Sequence, residues 1–201
     1  MRLSVAENRF ELDSAFSALD AANAEDPNVL LVQGIPVPRA LHQGLRASHW
    51  LERLGPTSTP VQLAARAHHV RRWVLNRSDY PDGRVGYHRW KREARELSKA
   101  SIEELLDPVG LDPTTIRRVG ELVARENLGS DPETQRVEDV ACLVFLETQY
   151  DDLIDRLGED KVVEAVRKTL RKMSSDAIAL ASDAVQSETG RALLQRVVSG
   201  A

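Results

Sequence analysis

The sequence predicts an all-α protein folded as a single compact helical bundle, and three observations predict it. Apolar residues recur at three- and four-residue intervals through most of the 201 residues. Start and stop signals divide the chain into pieces of helix length: Thr59-Pro60, Ser101 with Glu104 and Asp112-Pro113 open segments, and Gly55-Pro56, Gly129 and Gly158 close them. Only residues 28–38, NVLLVQGIPVP, have the β-branched character of a short hairpin or extended arm.

The first helix is expected over 8–23, where Phe10, Leu12, Phe16, Leu19 and Ala22 follow helical spacing before Asp26-Pro27 breaks it. After the 28–38 arm, a second helix runs over 38–54 and carries His42, Arg46, His49 and Trp50. Thr59 caps the third and Pro60 takes its first position. Leu63, Ala67, Val70 and Val74 set its core stripe, which carries the helix to Leu75. Pro81-Asp82-Gly83 is turn chemistry, so a fourth helix is expected over 84–99. Ser101 with Glu104 reads as a capping box that opens a separate short helix ending at Asp107. Helices follow over 113–127 and 133–157, and residues 160–198 hold two or three more, with Ser174 or Ser175 as a cap. The single 1–201 domain thus has a core over 38–157, an N-terminal helix and arm over 1–37, and peripheral C-terminal helices over 160–198.

Composition narrows the function classes. Hydrophobic residues make up 42% and charged residues 29%, an ordinary soluble balance, and the formal net charge is -4. A net negative chain is a poor match for an extended nucleic-acid surface but leaves room for a local basic pocket. No apolar run reaches the ~18 residues of a membrane span, and the first residues have no apolar leader, so no membrane partner is expected and the cytoplasm is the expected location. Cys142 is the one cysteine, so no internal disulfide forms; within VACLVFL it reads as a small buried apolar residue.

Residues 66–96 stand apart. They hold nine basic and four acidic residues, a local +5, with His68, His69 and His88 among five histidines in the chain, and with Trp73, Tyr80, Tyr87 and Trp90. Guanidinium forks grip phosphate oxygens bidentately and flat rings stack on bases or guanidiniums, so this mixture suits a phosphorylated, ring-bearing ligand. Arg46, Arg72, Arg84, Tyr87, Lys91 and Arg92 are the candidate phosphate-binding residues, and Trp73 and Trp90 the candidate stacking rings. On a continuous third helix the adjacent His68 and His69 diverge to opposite flanks of the stripe. They then serve as solvent-side histidines, or one of them reaches a metal or ligand. His88 pairs with Arg92 at i, i+4 on the fourth helix.

In the 133–157 helix, Glu138 and Asp139 abut seven consecutive apolar residues, 140–146, and Asp139 shares a face with Cys142, Leu143 and Leu146. A carboxylate buried there needs an arginine, a protonated histidine or a metal. Otherwise both acids sit in exposed first turns of the helix, where the dipole favours them.

The strings LDAANAEDPN (19–28), LAARAHHVRRW (63–73), RSDYPDGRVGYHRWK (77–91), VEDVACLVFLE (137–147) and RKTLRKMS (167–174) resemble the uncharacterised domain of unknown function 4202 family over residues 10–175. That family has no established reaction to carry over. The chain also distantly resembles the HD-domain phosphohydrolases, all-α proteins in which a His, a His-Asp pair and a later Asp bind divalent metal to hydrolyse phosphoesters. In that likeness LAARAHHV supplies His68 at the His position, His69 stands where the Asp would be, and VEDVACLV supplies Asp139 as the last acid. His49 or His42 would match the upstream His. The missing acid at position 69 removes a bridging carboxylate, which leaves a mononuclear zinc, manganese or iron site as what the likeness implies. Its ligands would come from His68, His69, His88 and Asp139, with Glu138 as the candidate catalytic residue.

Three functions follow as expectations. The first is an HD-like metal-dependent phosphohydrolase acting on a nucleotide or other small phosphoester. The second is a non-catalytic module that binds a nucleotide or phosphometabolite with the same arginines. The third is a protein-interaction scaffold, including a homo-oligomer, anchored on Trp73, Tyr87 and Trp90.

Overall fold

α6 (Pro132–Thr148) is the axis of the molecule because its apolar run has no polar side to give to solvent. Val137, Val140, Leu143, Val144 and Leu146 on it are wholly enclosed. The computed structural model describes residues 5–199, with side chains from Arg9 onward; residues 1–4 and 200–201 of the expected 1–201 domain lie outside that range. Helices α2 (Arg39–Arg53), α3 (Thr59–Arg66), α5 (Pro113–Val123) and α9 (Ser175–Ala184) pack on α6. α1 (Val5–Ala24) lies across α2, α3 and α4 (Gly83–Leu106), and α4 packs along α5. α7 (Tyr150–Leu157), α8 (Glu159–Leu170) and α10 (Glu188–Val198) form the C-terminal group. One apolar cluster runs from Ala15 to Leu194. The protein is an all-α bundle.

The 28–38 segment is the expected hairpin. β1 (Val29–Val32) pairs antiparallel with β2 (Ile35–Pro38), Val29 opposite Pro38 and Val32 opposite Ile35. Gln33 and Gly34 turn it with φ of 52° and 81°, the left-handed pair that a two-residue hairpin needs.

Four boundaries differ from the sequence expectation, each for a physical reason. α3 stops at Arg66 instead of continuing to Leu75. His68 N–H reaches back to the Ala65 carbonyl and Val70 N–H to the Ala67 carbonyl, three residues instead of four, and Arg71 takes a left-handed φ of 52°. Ala67 and Val70 keep their core positions while Val74 is 58% exposed, so the stripe breaks where the helix does. α4 runs unbroken through Ser101, which is buried, since Ile102 and Leu106 beyond it are fully enclosed and their burial outweighs a capping box. Glu104 turns outward to meet Arg71 instead of capping. The expected 133–157 helix is two helices, interrupted at Gln149, whose φ of -137° leaves the helical region. α5 likewise ends four residues early, as Arg125 and Asn127 both take left-handed φ.

α2 comes closest to the end of α3 at Gly44. A Cβ there would lie 2.5 Å from the Arg66 carbonyl oxygen, which also accepts a hydrogen bond from Asn23 Nδ2 at 3.2 Å. Gly44→Ala is therefore expected to force the two elements apart and destabilise by about 1–3 kcal/mol, despite alanine's better helix propensity. Urea unfolding of the two proteins measures it, and equal midpoints would contradict so close an approach.

Candidate functional site

The break after α3 builds the site. Arg66, the last residue of the helix, holds Asp20 of α1 bidentately with both contacts at 2.6 Å. Arg71, five residues on, holds Glu104 of α4 bidentately at 2.5 and 3.0 Å. Fork-on-carboxylate pairs fix orientation as well as distance, so the turn between them is pinned at both ends. Within it the imidazoles of His68 and His69 do not diverge. They stack, with ring centroids 3.9 Å apart and planes 27° apart.

Both rings line a cleft of about 700 Å³. α2 supplies Arg39 and Gln43 to it, the turn supplies Arg72 and Trp73, and α4 supplies Tyr87, Lys91 and Arg95 on one stripe. The segment after α5 supplies Arg125, α6 supplies Glu138, Cys142 and Phe145, and the chain after α8 supplies Lys172. The helical spacing of Tyr87, Lys91 and Arg95 explains why those three face inward together.

Charge in the cleft is mostly positive. Glu138 is matched by Arg125 Nε at 2.9 Å and Lys172 Nζ at 3.7 Å. Arg125 is further held by the Leu122 and Val123 carbonyls, each 3.1 Å from Nη1, so its left-handed backbone serves to fold the side chain over the end of its own helix. Arg39, Arg72, Lys91 and Arg95 have no carboxylate partner among the described residues. Arg72 lies over the Trp90 ring at 4.7 Å, and Trp90 Nε1 donates to the Leu75 carbonyl at 3.0 Å. Trp90 therefore backs a guanidinium and does not stand open as a stacking face for a ligand.

The field shows in the titrations. Burial first, then Arg125 and Arg72, push His68 well below the ordinary 6.5. Burial, the neighbouring His68, and the guanidiniums of Arg72, Arg125 and Arg39 do the same to His69. Lys91 is lowered by burial, then by Arg95 and Lys172. Cys142 is pushed up to about 12, chiefly by burial, and stays a thiol.

Other residues singled out in the sequence lie elsewhere. Asp139 is buried, the first of the two readings its sequence allowed, but no cation among the described residues meets it: Ser174 Oγ donates to it at 2.6 Å, Ser174 N–H at 2.8 Å and Gln135 Nε2 at 2.9 Å. Ser174 is the N-cap of α9, so Asp139 ties that cap to α6. Arg46 is held by Glu147 at 2.8 Å, on a carboxylate that Trp50 Nε1 also binds at 2.7 Å, and does not line the cleft. Arg84, His88 and Arg92 point outward on the exposed side of α4, the first two 3.4 Å apart. His49 packs edge-on against Trp50 and His42 sits near Glu147, neither on the cleft wall.

The residues do not fit an HD-type metal centre. Asp139 is turned to α9, His88 is on the far face, and Glu138 is already shared by two cations. Among the described residues no three His, Cys, Asp or Glu side chains converge on one point. The guanidiniums beside both imidazoles would repel a divalent ion in the same place.

Reasoning from sequence missed Gln43, Arg39, Arg95, Arg125 and Lys172. One of them left a legible signal. Ala40, Gln43, Gly44, Ala47 and Leu51 form the buried stripe of α2, so Gln43 is an amide on an apolar face, and such a group must have a partner. Arg125 follows the end of α5, the ordinary place for a base near carbonyls, and nothing in its neighbours marked it as inward.

A family model described as Domain of unknown function (DUF4202) matches residues 13–194. The chain belongs to that family. No curated protein and no solved structure matches it. Of the strings by which this DUF4202 protein resembles its family, LAARAHHVRRW spans the pinned turn, RSDYPDGRVGYHRWK carries Tyr87 and Lys91, and VEDVACLVFLE carries Glu138.

Two outcomes are expected. Folded, both cleft imidazoles stay neutral below 6.5; unfolded, they take up protons near 6.5. The unfolded chain then binds more protons as pH falls, so the stability these rings contribute is full above pH 6.5 and declines below it, with a slope of at most about 1.4 kcal/mol per pH unit for each ring. Urea midpoints at pH 7.5, 6.5 and 5.5 read this slope, and His69→Phe should flatten it. Separately, Asp139→Ala strands the Ser174 cap and should destabilise by about 2–3 kcal/mol, seen in the same unfolding assay.

Proposed function

We propose that the cleft binds a small phosphorylated metabolite, a nucleotide or similar phosphoester with a flat ring, and that this is the protein's function. The single observation behind it is the set of four cationic side chains, Arg39, Arg72, Lys91 and Arg95, that line one concave surface with no carboxylate paired to them among the described residues; of the two acids on that surface, Glu138 is taken by Arg125 and Lys172, and Asp26 by Asn28 and the Ala40 N–H. Elsewhere the guanidiniums of Arg46, Arg53, Arg66, Arg71 and Arg118 each have an acid. Leaving like charges together and unpaired is unfavourable unless an anion is their partner. Trp73 and the half-exposed Tyr87 flank these cations and suit a planar group.

A phosphohydrolase reading would need a nucleophile activated in this cleft. Of the ligands expected for it, His68 and His69 share the cleft while Asp139 and His88 lie outside it, so binding is the better-supported reading. Glu138 is then an electrostatic brace for Arg125 and Lys172, not an acid or base.

Isothermal titration with inorganic pyrophosphate at low salt tests the proposal. Binding is expected, with log affinity falling as salt rises. Arg72→Gln and Arg95→Gln should each weaken it by about tenfold or more, the range for a lost charge-assisted hydrogen bond. Arg84→Gln and Arg92→Gln, outside the cleft, should leave it unchanged. Absence of binding at millimolar pyrophosphate, or equal losses in all four variants, would overturn the reading.

A further inference from the structure

One imidazole of the cleft has its tautomer set by a chain of hydrogen bonds. The chain starts at the Val144 carbonyl, which can only accept. Thr148 Oγ1 donates to it at 2.8 Å and so spends its one proton there. The hydroxyl oxygen must then accept from Gln43, and Gln43 Nε2 lies 3.0 Å away. That places the Gln43 carbonyl oxygen toward the ring, 2.9 Å from His69 Nδ1. An amide oxygen can only accept, so Nδ1 carries the proton. In a neutral imidazole the other nitrogen, Nε2, is then bare. Gln43 is 1% exposed and cannot swing away to relax this order. Burial first, then His68 and the neighbouring guanidiniums, keep the ring neutral.

We propose that His69 Nε2 is a fixed hydrogen-bond acceptor of the binding site, and that the ligand carries a hydroxyl donor beside its phosphate, as the sugar of a nucleotide does. This rests on the phosphate reading above and deepens it. Phosphate oxygens of a dianion are acceptors and find no partner in a bare ring nitrogen. The guanidiniums and ammoniums around it are donors held in place for the anion. A hydroxyl satisfies the lone pair, and an analogue without it leaves a desolvated acceptor unpaired, which is how such sites discriminate. Gln43 acts through His69 and is a positioning residue.

The experiment has two parts. Nitrogen-15 NMR of the free protein at pH 7.5 reads the tautomer directly: His69 is expected neutral with the proton on Nδ1, and a proton on Nε2 overturns the inference. Titration calorimetry then compares glycerol 3-phosphate with n-propyl phosphate, the same carbon chain without hydroxyls, and with pyrophosphate. Glycerol 3-phosphate should bind about fivefold or more tighter than propyl phosphate. That preference should fall to within about twofold in His69→Phe, which keeps the ring against His68, and in Gln43→Met, which keeps the volume but frees the tautomer. Pyrophosphate binding retained in both variants shows that the cleft is intact. Equal affinity for the two phosphomonoesters in the native protein, with pyrophosphate still bound, overturns this inference and leaves the phosphate reading standing. No binding of any of the three overturns both.

Discussion

Two guanidinium–carboxylate forks hold the geometry on which everything else in this molecule depends. Arg66 on Asp20 and Arg71 on Glu104 tie the ends of one turn to α1 and α4. If α3 continued as its apolar stripe suggests, His68 and His69 would point to opposite flanks and Arg72 would follow the helix. Stopping the helix at Arg66 stacks the two rings and turns Arg72 into the cleft. Each pair alone, partly exposed to solvent, adds only modestly to stability. Together they work on position: they hold a left-handed arginine in a conformation that non-glycine residues seldom adopt.

The cleft that results has an uneven economy of charge. Glu138 is taken by Arg125 and Lys172, two of the six cations that line the cleft. Arg125 is largely enclosed, and its Nη1 donates to two helix-end carbonyls, so Glu138 and the end of α5 together fix where its guanidinium lies. The other cations keep their partners' places open. A buried ion pair serves as the floor and unpaired cations serve as the walls. The stacked imidazoles stay neutral in this field, which makes them the polar groups of the site that repel neither an anion nor each other.

The fold was largely legible, and the site half so. The hairpin at 28–38, the caps at Asp112 and Ser174, and the buried run in α6 follow from local chemistry and stand in the structure. Where local signals misled, tertiary structure decided: the enclosure of Ile102 and Leu106 outweighs the Ser101 box, and the stripe that ends in Val74 gives way to a turn whose Arg71 is oriented by Glu104. The Arg66–Glu96 stretch does supply the turn and one wall. A sequence segment cannot say which side of its helix faces a cleft, however, and Tyr87 and Lys91 lie inside while Arg84, His88 and Arg92 lie outside. Arg39, Arg125 and Lys172 come from three other segments and converge only through packing.

Asp139 shows why a buried acid is not by itself a metal ligand. Burial of a carboxylate demands donors, and hydrogen bonds meet that demand as well as a cation does. Ser174 offers two donors and Gln135 a third, all from neutral groups. To recruit a divalent ion beside the imidazoles, the molecule would have to draw on Glu138 instead. That would strip Arg125 of its counter-charge inside the protein, an arrangement far less favourable than the pair it replaced. The demands that an anion and a divalent ion would make on this cleft are therefore opposed, and the Arg125–Glu138 pair is the point at which they conflict.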